Sequence, residues 1–221
     1  MPSAFLWPVL VPSALRAPAP VNLGVRHMKS LTIAEIDNLR ALAFENACEL
    51  IEEAELLFAH ERYARSYTLA HLASEELAKL PTLALAAMDL THGISVDWKK
   101  LDEQLRSHNS KLRGLLFLDF LGTEIDPNAK EISLPGKTVS RVELFNDLKN
   151  ASLYSGVYLD SFYKPSAVFR QELALESLTA ARNRRTTFAK VEEVTRGKTA
   201  ELAQNPQYKE LLKNLGVQRY A

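Results

Sequence analysis

Between Ile33 and Phe58 the apolar residues recur every three or four positions, and neither glycine nor proline interrupts the run. Placed at 100° per residue, Ile36, Leu39, Ala43, Phe44, Ala47, Leu50, Ile51, Ala54, Leu57 and Phe58 share one arc of about 140°. Glu45, Glu49, Glu52 and Glu53 lie opposite. This predicts a long amphipathic helix over roughly 32–59. Thr32 and Glu35 supply a T-x-x-E capping box at its start, in which each residue satisfies a backbone donor of the other. Arg40 falls inside the apolar arc, and the pattern offers no partner for it.

The helical period continues. A second helix is predicted from about Glu61 to Asp89, with Tyr63, Tyr67, Ala70, Ala73, Leu77 and Leu80 as its stripe; Pro81 should kink or split it. A third runs from about Asp97 to Leu121 and stops at Gly122. Residues 123–139 hold Pro127, Pro135 and Gly136 and read as a loop. Ser140 and Glu143 form a second capping box, opening a helix to about Leu148. Tyr154 to Tyr163 is aromatic and irregular, a turn or a short strand pair. Pro165 stands at the first position of a long helix over about 166–196, ended by Gly197. Asn205-Pro206 opens a last short helix that stops at Gly216. No repeat and no sustained strand alternation is present. The fold class is all-α, an antiparallel helical bundle with a C-terminal helical extension.

The first twenty residues hold five of the ten prolines, which no continuous helix tolerates. The organisation expected is a proline-rich disordered leader over 1–27, a helical domain over 28–200 and a short C-terminal helix over 201–221, with Met28 a candidate start. Basic and acidic residues balance at 27 each, so bulk positive charge does not drive binding to nucleic acid, and any such site is a local patch. Cys48 is the single cysteine, which excludes an intrachain disulfide and a cysteine-rich zinc site and fits a reducing cytoplasm. No apolar run is long enough to span a membrane. The chain has no GxGxxG, P-loop, HExxH or GxSxG motif, so no cofactor or metal is expected.

In a helical bundle, function shows where polar residues interrupt an apolar face. On an ideal third helix His108 falls in the middle of the stripe made by Leu101, Leu105, Leu112, Leu115 and Leu116, with Lys111 at its edge and Arg106 toward the far side. An inward histidine is either a structural residue with both ring nitrogens satisfied or a general acid–base group, because imidazole titrates near neutrality. On the second helix, Glu75 and Lys79 read as an exposed i,i+4 pair. Glu76 borders the stripe beside Lys79, where its carboxylate can pair with Lys111 or Arg106 or fix the tautomer of His108. Arg182, Arg184, Arg185, Lys190, Arg196 and Lys198 outnumber Glu192 and Glu193, making a basic face that is either solvated or a surface for RNA or a protein partner. Arg65 and His71 form an R-x5-H string, but six residues of helix set them about 120° apart, and His71 lies off the stripe.

The stretch Phe44-Glu45-Asn46-Ala47 through Leu50-Ile51-Glu52-Glu53-Ala54, followed by Tyr63-Ala64-Arg65-Ser66, resembles the opening of the AbiV-type abortive infection family of the HEPN superfamily. Ser74-Glu75-Glu76-Leu77-Ala78-Lys79 resembles its Glu-Glu-x-x-Lys signature, and Arg106-Ser107-His108-Asn109-Ser110-Lys111 its Arg-x-His-x-x-Lys signature. Lys149, Leu153-Tyr154 and Pro165 resemble a further block, so the likeness covers about residues 32–170. It implies a HEPN bundle, a part in bacterial defence against phage, and a homodimer. Many HEPN proteins are metal-independent ribonucleases that use an arginine and a histidine four to six residues apart; here one residue separates Arg106 from His108. The AbiV-type role is also associated with stopping translation.

Two functions are expected on these grounds. In the first, the chain is a ribonuclease in which His108 takes the 2′-hydroxyl proton of RNA, Arg106 and Lys111 stabilise the phosphorane, and Glu76 with Lys79 orients them. In the second, the polar group is structural, and the face carrying Arg182, Arg184 and Arg185 binds a phage or ribosomal partner.

Overall fold

The computed structural model describes residues 28–111, 114, 138–158 and 161–207. Helix α1 spans Ile33–Ala59, and the expected capping box starts it: the Thr32 hydroxyl accepts from the Glu35 amide at 3.2 Å, and the Glu35 carboxylate accepts from the Thr32 amide at 2.8 Å. After a short turn, in which Glu61 takes a left-handed φ of 60°, α2 (Tyr63–Leu77) runs back along α1. The Ser66 hydroxyl donates to the Ala54 carbonyl near the turn, and Leu77 meets Ala43 and Ala47 at the far end.

Proline splits the second predicted helix, as expected. Pro81 has no N–H for the Leu77 carbonyl, and its ring crowds that carbonyl. The helix breaks at Ala78, and α3 (Lys79–Thr91) continues on a new axis. Helix α4 (Trp98–Arg106) is capped by Asp97, whose carboxylate accepts from the Lys100 amide at 3.0 Å. Here the expectation of one helix over 97–121 fails. Ser107 is extended (φ −73°, ψ 115°), and its hydroxyl accepts from the Ser110 amide at 3.2 Å, so it ends α4 and caps a new helical stretch at residues 108–111. Apart from residue 114, the remainder of that predicted helix and the predicted loop up to 137 lie outside the described residues.

Helix α5 covers Thr138–Leu153, starting before Ser140 and outlasting its predicted end at Leu148. The aromatic segment is a strand pair: β1 (Gly156–Tyr158) and β2 (Ser161–Tyr163) are antiparallel, with Val157 opposite Phe162. A Cβ at Gly156 would stand 3.0 Å from the Tyr163 ring, so the glycine lets that ring lie close against the backbone. The long C-terminal helix begins later than predicted. Pro165–Val168 forms a separate short helix, α6, and α7 covers Gln171–Thr195. Gly197 follows with φ 71°, and an unpredicted helix, α8, spans Thr199–Gln204. The Asn205 side chain accepts from the Gln207 amide, but the predicted last helix lies beyond the described residues after 207, as does the predicted leader over 1–27.

The core is a stack of helix faces. Ile51 and Ala54 of α1, Ala70 and Ala73 of α2, and Leu178 and Ala181 of α7 form its centre, where small side chains let the helices approach closely. Ile36 meets Leu83, Ala86 and Ala87 of α3 and Leu101 and Leu105 of α4. Arg40, which the apolar pattern left without a partner, is 3% exposed and binds Glu192 (2.5 Å) and Thr195 of α7, Thr199 of α8 and Asp37. A buried guanidinium is tolerated because both terminal nitrogens are met by oxygen, although Nε has no partner among the described residues.

Candidate functional site

One turn before the kink at Ala78, α2 buries a carboxylate. Glu75 is 1% exposed. Its Oε1 lies 3.2 Å from His71 Nε2, one turn back on the same helix, and 4.0 Å from Lys149 Nζ of α5. Its Oε2 lies 2.5 Å from His108 Nδ1 and 2.9 Å from Lys111 Nζ, both on the stretch that restarts after Ser107. The break at Ser107 resets the helical phase, so Lys111 is buried while the His108 side chain keeps 48% of its surface. The ring therefore does not sit inward among leucines, as the straight-helix projection places it. It lies at the protein surface with one nitrogen anchored.

The supporting contacts fix each element. The hydroxyls of Thr68 on α2 and Ser152 on α5 meet at 2.6 Å, and Ser152 donates to the Lys149 carbonyl. His71 stacks on Tyr67, with ring centroids 6.2 Å apart. Arg184 of α7 donates to the Ser74 hydroxyl at 2.9 Å, beside Glu75 in sequence. His71 also borders a small cleft shared with Tyr67, Ser74, Phe145, Glu176 and Arg184.

Burial pushes the Glu75 carboxyl up, but the hydrogen bonds from His71 and Lys111, the charge of Lys111 and the hydrogen bond from His108 outweigh it, and the pKa falls to about 2. Glu75 is therefore ionised and accepts only. It follows that His108 donates from Nδ1 and His71 from Nε2, which leaves the Nε2 edge of His108 away from the carboxylate. One buried negative charge faces two ammonium groups, so the site carries excess positive charge even with both imidazoles neutral. A carboxylate–imidazole pair next to spare cations can move a proton at the ring and hold an anion beside it.

The structure joins His108 and Lys111, as expected, but through Glu75 rather than Glu76. The reading of Glu75 as an exposed partner of Lys79 is overturned by its burial. Among the described residues Glu76 and Lys79 pair with each other, at 2.5 Å. Arg106 donates from Nε to Asp102 at 3.0 Å, back along α4. His71, set aside on the helical wheel, belongs to the cluster, whereas Arg65 reaches the Leu153 carbonyl instead. On the basic face of α7, Arg182 pairs with Glu55, Arg184 turns to Ser74, and Arg185 lines a groove with Phe44 and Glu52 of α1. Lys149 went unread as a site residue. The available signal was its place in the third block of the family likeness, since burial of a lysine requires an anionic partner.

Among the described residues no group of three or more His, Cys, Asp or Glu is arranged to hold a metal ion. No helix among them is long and apolar enough to cross a membrane. Comparison with curated proteins finds no match, and neither does comparison with solved structures. The family model HEPN_AbiV, described as AbiV, matches residues 35–186, a span that contains α1 through most of α7 and every residue bound to Glu75. By this match over more than half its length, the chain belongs to the AbiV abortive-infection family of HEPN proteins.

Proposed function

We propose that the protein acts against phage infection as a metal-independent endoribonuclease, working in the cytoplasm as a homodimer on RNA of the cell or the phage. The observation that carries this reading is the His108 ring, anchored at Nδ1 by ionised Glu75 and half exposed at its other edge. In the reaction, Nε2 takes the proton from a ribose 2′-hydroxyl. The oxygen attacks the adjacent phosphorus, the bond to the 5′-oxygen breaks, and the leaving oxygen takes up a proton. The products are a 2′,3′-cyclic phosphate and a 5′-hydroxyl. Glu75 holds the ring in the required tautomer and stabilises the imidazolium that forms. An ammonium group has three donors, and Lys111 and Lys149 have donors beyond those aimed at Glu75 to meet the charge gathering on phosphate.

Purified protein is expected to cut RNA in EDTA and leave cyclic phosphate ends. His108→Asn, which keeps a donor near the Nδ1 position, should fold and not cut. Intact RNA with the wild-type protein under these conditions overturns the reading.

A non-catalytic role has one observation in its favour: every oxygen of Glu75 is engaged, so the cluster also welds α2, α5 and the stretch after Ser107 into one body. In that case the protein stops growth or translation by binding a phage or ribosomal partner. Growth arrest that survives in His108→Asn favours this second reading.

A further inference from the structure

The hairpin β1–β2 presents apolar side chains that the core does not use. Phe162 is 90% exposed, and Val157, directly opposite it and so on the same face of the ribbon, is 61% exposed. Tyr154, two residues before β1, is also largely exposed. Beside the hairpin is a cleft of about 280 Å³ where the turn before α2 meets the end of α5 and the start of α6. Arg62, Arg65 and Lys164 line it against the single carboxylate of Glu61, and all three cations are exposed. Exposed aromatic rings next to a row of cations match what a flexible single-stranded nucleic acid offers, bases to stack and phosphates to pair. A second copy of the chain fits less well, because a two-fold contact uses the same patch on both sides and this cleft offers only the Glu61 carboxylate to three cations.

We infer that this hairpin and cleft are the docking surface for single-stranded RNA. The inference rests on the reading of RNA as the ligand, but not on its cleavage. Helix α5 links this surface to the site. Arg65 holds the Leu153 carbonyl at the end of α5, and Lys149 lies one turn earlier on that helix, a rise of about 6 Å. A strand stacked on Phe162 and paired with Arg62 and Lys164 would be held at the Leu153 end of α5.

The test uses the full chain carrying His108→Asn, so that bound RNA stays intact, and a fluorescein-labelled oligouridylate read by anisotropy. Phe162→Ala should weaken binding about 5- to 150-fold. The pair Arg62→Ala and Lys164→Ala should flatten the dependence of log affinity on log salt by about 0.7 for each phosphate no longer paired. Unchanged affinity and salt slope overturn the inference. So does a Phe162→Ala protein that changes from dimer to monomer in light scattering while binding RNA as before. Cleavage by the wild type combined with indifferent hairpin variants rejects the surface and leaves the nuclease standing. Binding that depends on the hairpin, without cleavage, does the reverse.

Discussion

Glu75 and His108 are 33 positions apart in the chain, yet Oε2 of one lies 2.5 Å from Nδ1 of the other. Two local events make this meeting possible. Pro81 breaks the helix after Leu77, and Ser107 breaks the next long helix just before His108.

The Ser107 break can be tested directly. Ser107→Ala removes the cap on residues 108–111, at a cost of about 1 kcal/mol, and favours a continuous helix that turns His108 away from Glu75. The expected outcome is a small fall in denaturation midpoint with a much larger loss of RNA cleavage. Equal, minor losses in both would show that the break does not position the ring.

Glu75→Gln leaves Lys111 and Lys149 buried beside a neutral group. Losing the partner of a buried charge costs about 3–5 kcal/mol, so urea denaturation should show a large drop in stability. Adding Lys111→Met to Glu75→Gln should cost less than the two single changes combined, because one stranded ammonium is removed with its partner.

The same carboxylate sets an acid limit. Its folded pKa of about 2 lies below the ordinary value of 4.5, so between these pH values the unfolded chain binds the extra proton. Stability from this group is complete above pH 4.5 and is lost as pH falls toward 2, by about 3 kcal/mol in all. Glu75→Gln should remove that part of the acid destabilisation, measured as the pH dependence of the denaturation midpoint.

Lys149 and Lys79 distinguish the folded site from the linear motif. Lys149→Met should lower the rate of RNA cleavage at least tenfold, since Lys149 faces Glu75. Lys79→Ala should leave the rate within about twofold, because Lys79 pairs with Glu76, and such i,i+3 pairs contribute only about 0.2–0.5 kcal/mol. Equal effects would place the chemistry elsewhere.

Arg40→Met strands the buried Glu192 carboxylate and should destabilise the fold by about 3–5 kcal/mol. The double variant with Glu192→Leu should recover much of this. Hydrogen exchange in α8 should rise in the single variant, because Thr199 loses a donor from Arg40.

The all-α class, the capping box at Thr32 and the importance of Pro81 were legible in the linear chain, because they depend on local period and backbone chemistry. His108 and Lys111 were singled out there too, but from a straight-helix projection that the structure does not keep. Which carboxylate serves them is a tertiary matter. A helical wheel assumes one unbroken axis, and the restart at Ser107 cancels that assumption for His108. The linear pattern separated Glu75 from Glu76 the wrong way round, setting Glu76 beside the stripe and Glu75 in solvent, because a wheel drawn on one helix does not include the charged partners that other elements bring. Around Glu75 the stretch after Ser107 supplies His108 and Lys111, and α5 brings Lys149 from 74 positions away; the cost of burying charge is met only where such distant partners converge.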